Sequence, residues 1–383
     1  MKKTGKNLGL FQLIDRKIFD SLVDKWGMDK GVRQLYTWEM TCVLLSSMVA
    51  RLGSYQEIEM SLGIPHSTFG DAMKRRYSGF FTELCDEILR SIQFKTRCRK
   101  IRRAIREILA IDSSDIRVHG SLFCSPGWKQ KKADGHKAAA KIHCVWNVES
   151  EWIEQCIVTG GRTGDSPASR LLELREGCTY VFDRAYNDVN FWLDITAAGS
   201  HFVTRLKGAS IAKLRDGIEA EKKNHDGVLY DGIYKPCAAT LSKFPKEVRE
   251  EIEFRYVVYR DAQTKKVFYF VTSDRDVSAK TIAAIYKKRW AVELLFRWLK
   301  GHLNIRYLSP KNKNAIKIQL AVAVLLQLLL RLKKIFERYD GTLWDLLREI
   351  RSALTRKSIA NSGPPNGCRW RAFSSSDLQA VHL

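Results

Sequence analysis

Ile108-Leu109-Ala110-Ile111-Asp112 and Thr179-Tyr180-Val181-Phe182-Asp183 are two short apolar runs, each ending in an aspartate. Runs of this length and composition read as buried strands. A central strand that runs into a carboxylate places that group at the carboxyl edge of its sheet, where open α/β sheets bind ligands. Between the two runs, Lys141 to Val148 and Trp152 to Thr159 alternate as two strands joined by a turn around Ser150. Asp188 to Ala198 reads as a helix, and His201 to Leu206 as a fifth strand. Three strands followed by alternating helix and strand predict an α/β sheet of mixed direction.

Outward from this centre the texture changes twice. Residues 8 to about 92 carry apolar side chains at three- and four-residue spacing, which predicts helices. Within them, Tyr55 to Leu62, Gly63 and Ser67 to Arg76 resemble a helix-turn-helix, with Gly63 making the turn and Ser67 or Thr68 capping a second helix that ends in Lys74, Arg75 and Arg76. Such a helix could enter a DNA major groove; an ordinary helical hairpin gives the same pattern. Lys95 to Arg106 holds seven basic residues in twelve, and Lys131, Lys132 and Lys137 follow in the segment from Lys129 to Lys141. Both are candidates for phosphate contact or for solvated faces. Residues 208–276 form a β-rich block, with strands from Glu251 to Arg260 and Lys266 to Thr272 around a turn at Asp261 to Thr264. Ala279 to Leu303 and Ile316 to Tyr339 predict long helices, and the chain from Asn361 is rich in Ser, Gly and Pro. The expected division is a helical N-terminal region, 1–106; a first core part, 107–207; a β-rich insertion, 208–276; a second core part, 277–340; and a C-terminal tail region, 341–383.

Lys and Arg number 65 against 42 Asp and Glu, a formal net charge of +23 spread along all 383 residues. An excess of this size points to a polyanion, of which nucleic acid is the commonest. Apolar residues at 45% and charged residues at 28% exclude wholesale disorder. Nine cysteines without C-x-x-C spacing argue against a disulfide framework or zinc ribbon and fit a reducing cytosol. No signal peptide is read. Ile318 to Leu332, interrupted by Gln319 and Gln327, reads as a buried helix rather than a membrane span.

If their strands are neighbours, Asp112 and Asp183 come close together. Two such carboxylates resist joint ionisation unless a cation lies between them. Hard divalent ions take oxygen ligands and also bind phosphates, so the pair suits a phosphoryl-transfer metal site. An aspartate at a strand end also serves as a helix cap or turn former, and the pair alone does not choose.

A third segment is more specific. In Ile285-Tyr286-Lys287-Lys288-Arg289-Trp290-Ala291-Val292-Glu293-Leu294-Leu295-Phe296-Arg297-Trp298-Leu299-Lys300, the residues Tyr286, Arg289, Glu293 and Lys300 fall within an arc of roughly 60° on one helix. Leu294, Leu295 and Trp298 fall on a separate apolar face. Glu293 flanked by cations suits a place where metal and phosphate meet. An intrahelical Arg289–Glu293 ion pair is the simpler reading, but it accounts for neither Tyr286 nor Lys300.

With these residues the chain resembles the insertion-sequence transposases of the IS-four group, which use a DDE carboxylate triad. Their Tyr, two residues, Arg, three residues, Glu, six residues, Lys signature is matched at every spacing by Tyr286, Arg289, Glu293 and Lys300. Ile111-Asp112-Ser113-Ser114 and Asp183-Arg184-Ala185-Tyr186 are similar to the other two motifs, as is His201 to Lys207, and the resemblance covers roughly residues 10 to 335. It implies a ribonuclease H-like core interrupted by a β-rich insertion, with a helical N-terminal DNA-binding region and a helical C-terminal region. It implies catalysis by Asp112, Asp183 and Glu293 holding two Mg²⁺ ions, with Mn²⁺ as an alternative, and DNA contacts by Tyr286, Arg289, Lys300 and Arg184. Asp115 ranks second to Asp112 for the first carboxylate. The implied partners are double-stranded DNA, both terminal inverted repeats and target, and a second copy of the chain in the DNA complex, with no membrane. The implied location is cytoplasmic and nucleoid-associated. Some members of the group pass through a DNA hairpin with a base stacked on an aromatic; no Trp lies between Trp192 and Trp290, which leaves Tyr256, Tyr259 or Phe254. The rival readings are a metal-dependent nuclease on the same fold without strand transfer, and a non-catalytic DNA-binding relic.

Overall fold

A computed structural model describes residues 9–100, 106–128, 138–206, 227–303 and 305–360. The chain opens with helices α1 (Arg16–Trp26), α2 (Thr37–Ala50), α3 (Tyr55–Leu62), α4 (His66–Arg75) and α5 (Ser78–Lys100). Local chemistry sets their ends. Asp15 caps α1 by accepting the Lys17 N–H at 2.9 Å, and Gly27 closes it at φ 58°. Ser54 and Glu57 form a capping box on α3, and Gly63 ends that helix at φ 71°. The two helices and the Gly63 turn predicted there are present, with one change: α4 starts at His66, so Ser67 and Thr68 lie inside its first turn. Pro65 presets the entry, with its fixed φ, and Glu59 on α3 accepts the His66 N–H at 3.4 Å.

Strands β1 (Glu107–Val118), β2 (Ala139–Asn147) and β3 (Trp152–Gly160) then form an antiparallel meander. Short α6 (Asp165–Ser169) leads to β4 (Cys178–Phe182), helix α7 (Val189–Ala197) and β5 (His201–Arg205). The block after it contributes β6 (Val228–Tyr234), the one-turn helices α8 (Ala238–Leu241) and α9 (Lys246–Arg249), β7 (Phe254–Arg260) and β8 (Val267–Thr272). Helices α10 (Ala279–Lys288) and α11 (Trp290–His302), strand β9 (Tyr307–Leu308), α12 (Lys313–Phe336) and α13 (Leu343–Ala360) follow.

All the strands join one sheet in the order β3-β2-β1-β4-β5-β8-β7-β6, with β9 added to β1. The mixed direction read from the sequence is found. β1, β4 and β5 are parallel, whereas β2, β3 and β8 run against their neighbours. The β-rich block continues this sheet, because β8 pairs with β5 from Val203↔Thr272 to Arg205↔Phe270.

Two register facts position the site. β1 does not end at Asp112; β2 pairs with it as far as Arg117. On its other side β4 stops at Phe182 opposite Ile111, and β9 starts only opposite Arg117. Asp112 therefore sits where the sheet loses a strand on one side, one step past Ile111, just as Asp183 is one step past Phe182.

The sheet separates two cores. One holds Ile111, Tyr180, Phe182, Trp192 and Phe202; the other holds Ala110, Ile116, Val292 and Leu295 with most of α12. α12 is long and apolar enough to cross a membrane by length and composition, but 83% of its apolar window is buried inside the protein. It packs as the buried helix predicted for Ile318 to Leu332.

Candidate active site

Side chains alternate across a strand, so Asp112 projects to the face of Ala110 and Ile116, the face covered by α11. Its carboxylate accepts the Ser113 N–H at 2.8 Å and lies 3.5 Å from Nη1 of Arg289. Burial pushes the Asp112 carboxyl up to about 6, and the charges of Asp183 and Glu293 push the same way against the Ser113 N–H and Arg289. Asp183 is half-buried, caps the turn after β4 and accepts the Ala185 N–H at 2.7 Å. Arg184 beside it is exposed.

The helix predicted to run from Ala279 to Leu303 is two helices. It tightens at Arg289, whose N–H bonds to Tyr286 three residues back at 3.0 Å. The tightened turn falls between Tyr286 and the other three residues of the stripe. Arg289 still donates to Glu293 one turn on, the ion pair that simple helix spacing allows. The guanidinium thus joins Asp112 to Glu293, and its buried Nε has no hydrogen-bond partner among the described residues. Tyr286 packs on Phe270 with ring centroids 5.0 Å apart, while Arg205 and Arg289 lie 5.8 and 5.7 Å from its ring. Burial raises its hydroxyl pKa and Arg289 lowers it. Lys300 stands almost two turns past Glu293, where burial lowers its pKa and Asp115 acts to raise it. Asp115 is exposed.

The structure therefore puts Asp183, Glu293 and Arg289 within electrostatic reach of Asp112, with Tyr286 against Arg289, while Lys300 is influenced by Asp115 and Arg184 lies on the exposed turn after Asp183. Three other expectations change. Leu294 is 45% exposed rather than packed, while Leu295 is buried. Phe254 and Tyr256 are each 4% exposed and sit against Trp192, Phe202 and Tyr230, so neither offers a face to a base. Arg76 is not a free cation of α4: its buried guanidinium holds Thr37 at 3.1 Å, the Leu35 carbonyl at 2.8 Å and Asp29 at 3.4 Å. The side chains of Lys95 to Arg103, and all of Lys131, Lys132 and Lys137, lie outside the described residues. Arg106, at the end of the first run, pairs with Asp274 and Asp276.

Sequence reasoning missed the polar side chains behind Asp112, namely Asp165, Lys141 and His143. The sign was present. Lys141 and His143 alternate on one face of an otherwise apolar strand, and a buried lysine needs a carboxylate.

Among the described residues no three His, Cys, Asp or Glu side chains stand close enough together to hold a metal ion. In this conformation the Arg289 guanidinium supplies the positive charge between Asp112 and Glu293. The chemistry of the donor set nonetheless fits a hard divalent ion: three carboxylates, one of them resisting ionisation through burial and its acidic neighbours.

A family model described as a transposase DDE domain matches residues 103–329. A Sinorhizobium fredii protein named as a transposase, y4zB, is 33% identical over 297 residues, 76% of this chain and 78% of that protein. A Synechocystis protein named as a transposase for the insertion sequence element IS4SA is 24% identical over 293 residues, again 76% and 78%. A Geobacillus stearothermophilus protein named as a transposase for IS5377 is 30% identical over 198 residues, 51% of this chain and 50% of that protein. The structure is similar to piggyBac transposase in a synaptic complex with hairpin DNA, at TM-score 0.50 and 11% identity, over 98% of this chain and 84% of that one. That last likeness concerns the fold. The family match and the named relatives define an enzyme of the polynucleotidyl transferase and nuclease type. The chain belongs to the DDE transposase family, alongside the transposases of insertion sequences.

Proposed function

We propose that the protein is the transposase of a bacterial insertion sequence. It binds the element's terminal inverted repeats, cleaves phosphodiester bonds at the ends with Mg²⁺, and joins the freed 3′-hydroxyl to target DNA. The observation that carries this reading is the register: Asp112 and Asp183 each stand one step past the Ile111↔Phe182 pair, and Glu293 acts on Asp112 from the helix above.

Asp112, Asp183 and Glu293 would hold two Mg²⁺ ions, or Mn²⁺ in their place. Bound divalent ions lower the pKa of an attacking water or 3′-hydroxyl and stabilise the leaving oxygen of an in-line displacement. The chain's own residues do the rest. Arg289, with its unused buried Nε, and Lys300 neutralise phosphates at the element's end, and Tyr286 holds Arg289 in place. Arg184 contacts the backbone from the exposed turn after Asp183. The carboxylates require no covalent protein–DNA intermediate, so no Ser or Tyr nucleophile is needed. The net charge of +23 supplies salt-dependent affinity for both DNAs.

The strand order 3-2-1-4-5 is read as a ribonuclease H-like core, the block 208–276 as its β-rich insertion, residues 1–106 as a DNA-binding region and residues 341–383 as a tail region. A second copy joins in the DNA complex, because two ends are cut together. The protein works in the cytoplasm on the nucleoid.

The test is a supercoiled donor plasmid incubated with Mg²⁺. Asp112→Ala, Asp183→Ala and Glu293→Ala each abolish nicking yet still shift end DNA on a gel. Retained nicking in any one removes that residue from the triad. Joining of a labelled end to a second plasmid separates a transposase from a nuclease on the same fold.

A further inference from the structure

The sheet has two faces at β1. Asp112 projects from one, and Ser113 projects from the other, toward Phe182 and Tyr186. Directly behind Asp112 the second face carries a closed polar network. The Ser113 hydroxyl donates to Oδ1 of Asp165 at 2.6 Å, and Nζ of Lys141 donates to the same oxygen at 3.2 Å. His143 Nδ1 stands 3.7 Å from that oxygen and 3.5 Å from the Tyr186 hydroxyl, while its Nε2 meets the Thr159 hydroxyl at 3.0 Å. The side chains of Lys141 and Asp165 are only 11% and 18% exposed.

An ion pair this enclosed costs desolvation that apolar side chains of the same volume would avoid, so it is a weak device for stability alone. Its position suggests another use. Ser113 is held from behind by Asp165, and its backbone N–H holds Oδ1 of Asp112 in front at 2.8 Å. The second carboxylate strand is tied in as well, because Tyr186 lies on the turn that Asp183 caps. The alternation of Lys141 and His143 along β2, opposite Asp115 and Ser113, places their side chains on this rear face.

We propose that Asp165 is a positioning residue for the cation-binding carboxylates. By accepting the Ser113 hydroxyl and the Lys141 ammonium, it fixes the backbone amide that orients Asp112. The proposal rests on the reading of Asp112, Asp183 and Glu293 as cation ligands. Partners one step behind a metal ligand commonly change metal affinity or activity by about tenfold to a hundredfold.

The test compares the full chain with Ser113→Ala, Asp165→Asn, Asp165→Ala and the double variant Ser113→Ala/Asp165→Ala. Mn²⁺ binding is followed by electron paramagnetic resonance, and nicking of donor plasmid is measured across Mg²⁺ concentrations. Ser113→Ala, too mild to unfold the sheet, weakens Mn²⁺ binding several-fold and raises the half-saturating Mg²⁺ in step. Asp165→Ala weakens Mn²⁺ binding about tenfold. Asp165→Asn, which keeps an acceptor for Ser113, recovers part of the loss. The double variant is no worse than Asp165→Ala, because both changes break one linkage. End-DNA binding without metal is unchanged throughout. Wild-type cation dependence in Ser113→Ala and Asp165→Asn, or additive losses in the double variant, overturns the proposal while leaving the carboxylate reading intact. A wild-type protein that binds no Mn²⁺ and nicks no DNA brings down both.

Discussion

The guanidinium of Arg289 lies 3.5 Å from the carboxylate of Asp112, across 177 residues of chain. The same guanidinium donates to Glu293. One cation thus serves two acids that, with Asp183, crowd a partly buried corner of the sheet. Without compensation such a corner repels itself, and the raised Asp112 pKa records that repulsion together with burial. A divalent ion at the same corner would relieve the same stress and release Arg289 toward phosphate.

Arg289→Ala is therefore expected to lower stability by ~1–2 kcal/mol in EDTA, a value below that for a fully buried pair because Glu293 keeps 31% side-chain exposure. Mg²⁺ then raises the melting temperature of the variant more than that of the wild type, since the ion replaces the missing charge. Thermal unfolding in EDTA and in Mg²⁺ measures both. Equal Mg²⁺ shifts in the two proteins would show that Arg289 and the ion do not answer the same charge. Arg289→Lys restores part of the stability but not the two-pronged geometry, so cleavage stays well below wild type.

Tyr286 is assigned to DNA by resemblance, yet its ring is wedged between Phe270, Arg205 and Arg289. Tyr286→Phe keeps that wedge and is expected to leave stability within about 1 kcal/mol. Tyr286→Ala opens a hole and costs ~2–3 kcal/mol. Chemical denaturation and end-DNA gel shifts, read together, separate the roles. A purely DNA-contacting tyrosine would give the opposite result: stable Ala, and Phe as weak as Ala in binding.

A titration distant from the site offers a cleaner pH test. Asp86 on α5 borders a cavity of about 230 Å³ between α5, β3 and α12, and burial pushes its carboxyl up to about 6. The folded protein thus holds this proton more tightly than the unfolded chain, whose aspartates titrate near 4. Stability is full below pH ~4, falls as pH rises toward 6, and stays lower above it. Asp86→Asn removes the loss and is expected to be the more stable protein by ~1–2 kcal/mol at pH 7.5, with the advantage gone at pH 4. Paired denaturation curves at the two pH values decide it. A variant no more stable at pH 7.5 would mean the carboxylate finds compensation in the cavity.

Much of the fold was legible because its signals are local. The turn at Ser150, the helix read from Asp188 to Ala198 and the Asp261 turn each depend on a few adjacent residues, and each stands where the spacing predicts, the helix as Val189–Ala197 behind its Asp188 cap. What was not legible depends on partners far along the chain. The apolar run stops at Asp112, yet the strand continues to Val118 because β2 supplies ladder partners as far as Arg117. The continuous helix drawn through Arg289 is interrupted there by a local tightening, in which the Arg289 N–H bonds to Tyr286 and the Val292 N–H bonds to Arg289, each three residues back. Leu294 looks like core by periodicity but stands on the outer face of α11. The Asp165 network escaped notice because Ser113, Lys141 and Asp165 are joined only by the closing of β1 on β2 and the return of the chain after β3.

The same distinction between charge count and placement governs the helix-turn-helix. Lys74, Arg75 and Arg76 look like one basic tip on α4, but only Lys74 and Arg75 face solvent. Arg76 is 6% exposed and ties the helix end to Thr37, Leu35 and Asp29. Arg76→Ala is expected to strand the Leu35 carbonyl, to leave Asp29 with only its hydrogen bonds from Thr37, and to cost ~2–4 kcal/mol of stability. Lys74→Ala and Arg75→Ala leave unfolding unchanged within about 0.5 kcal/mol. If α4 lies against DNA, each of these two reduces the slope of log affinity against log salt by about 1. Filter-binding titrations across a salt series give that slope directly. An unchanged slope in the Lys74→Ala/Arg75→Ala double variant would make α3 and α4 a packing hairpin and leave end recognition to other basic surfaces of the chain.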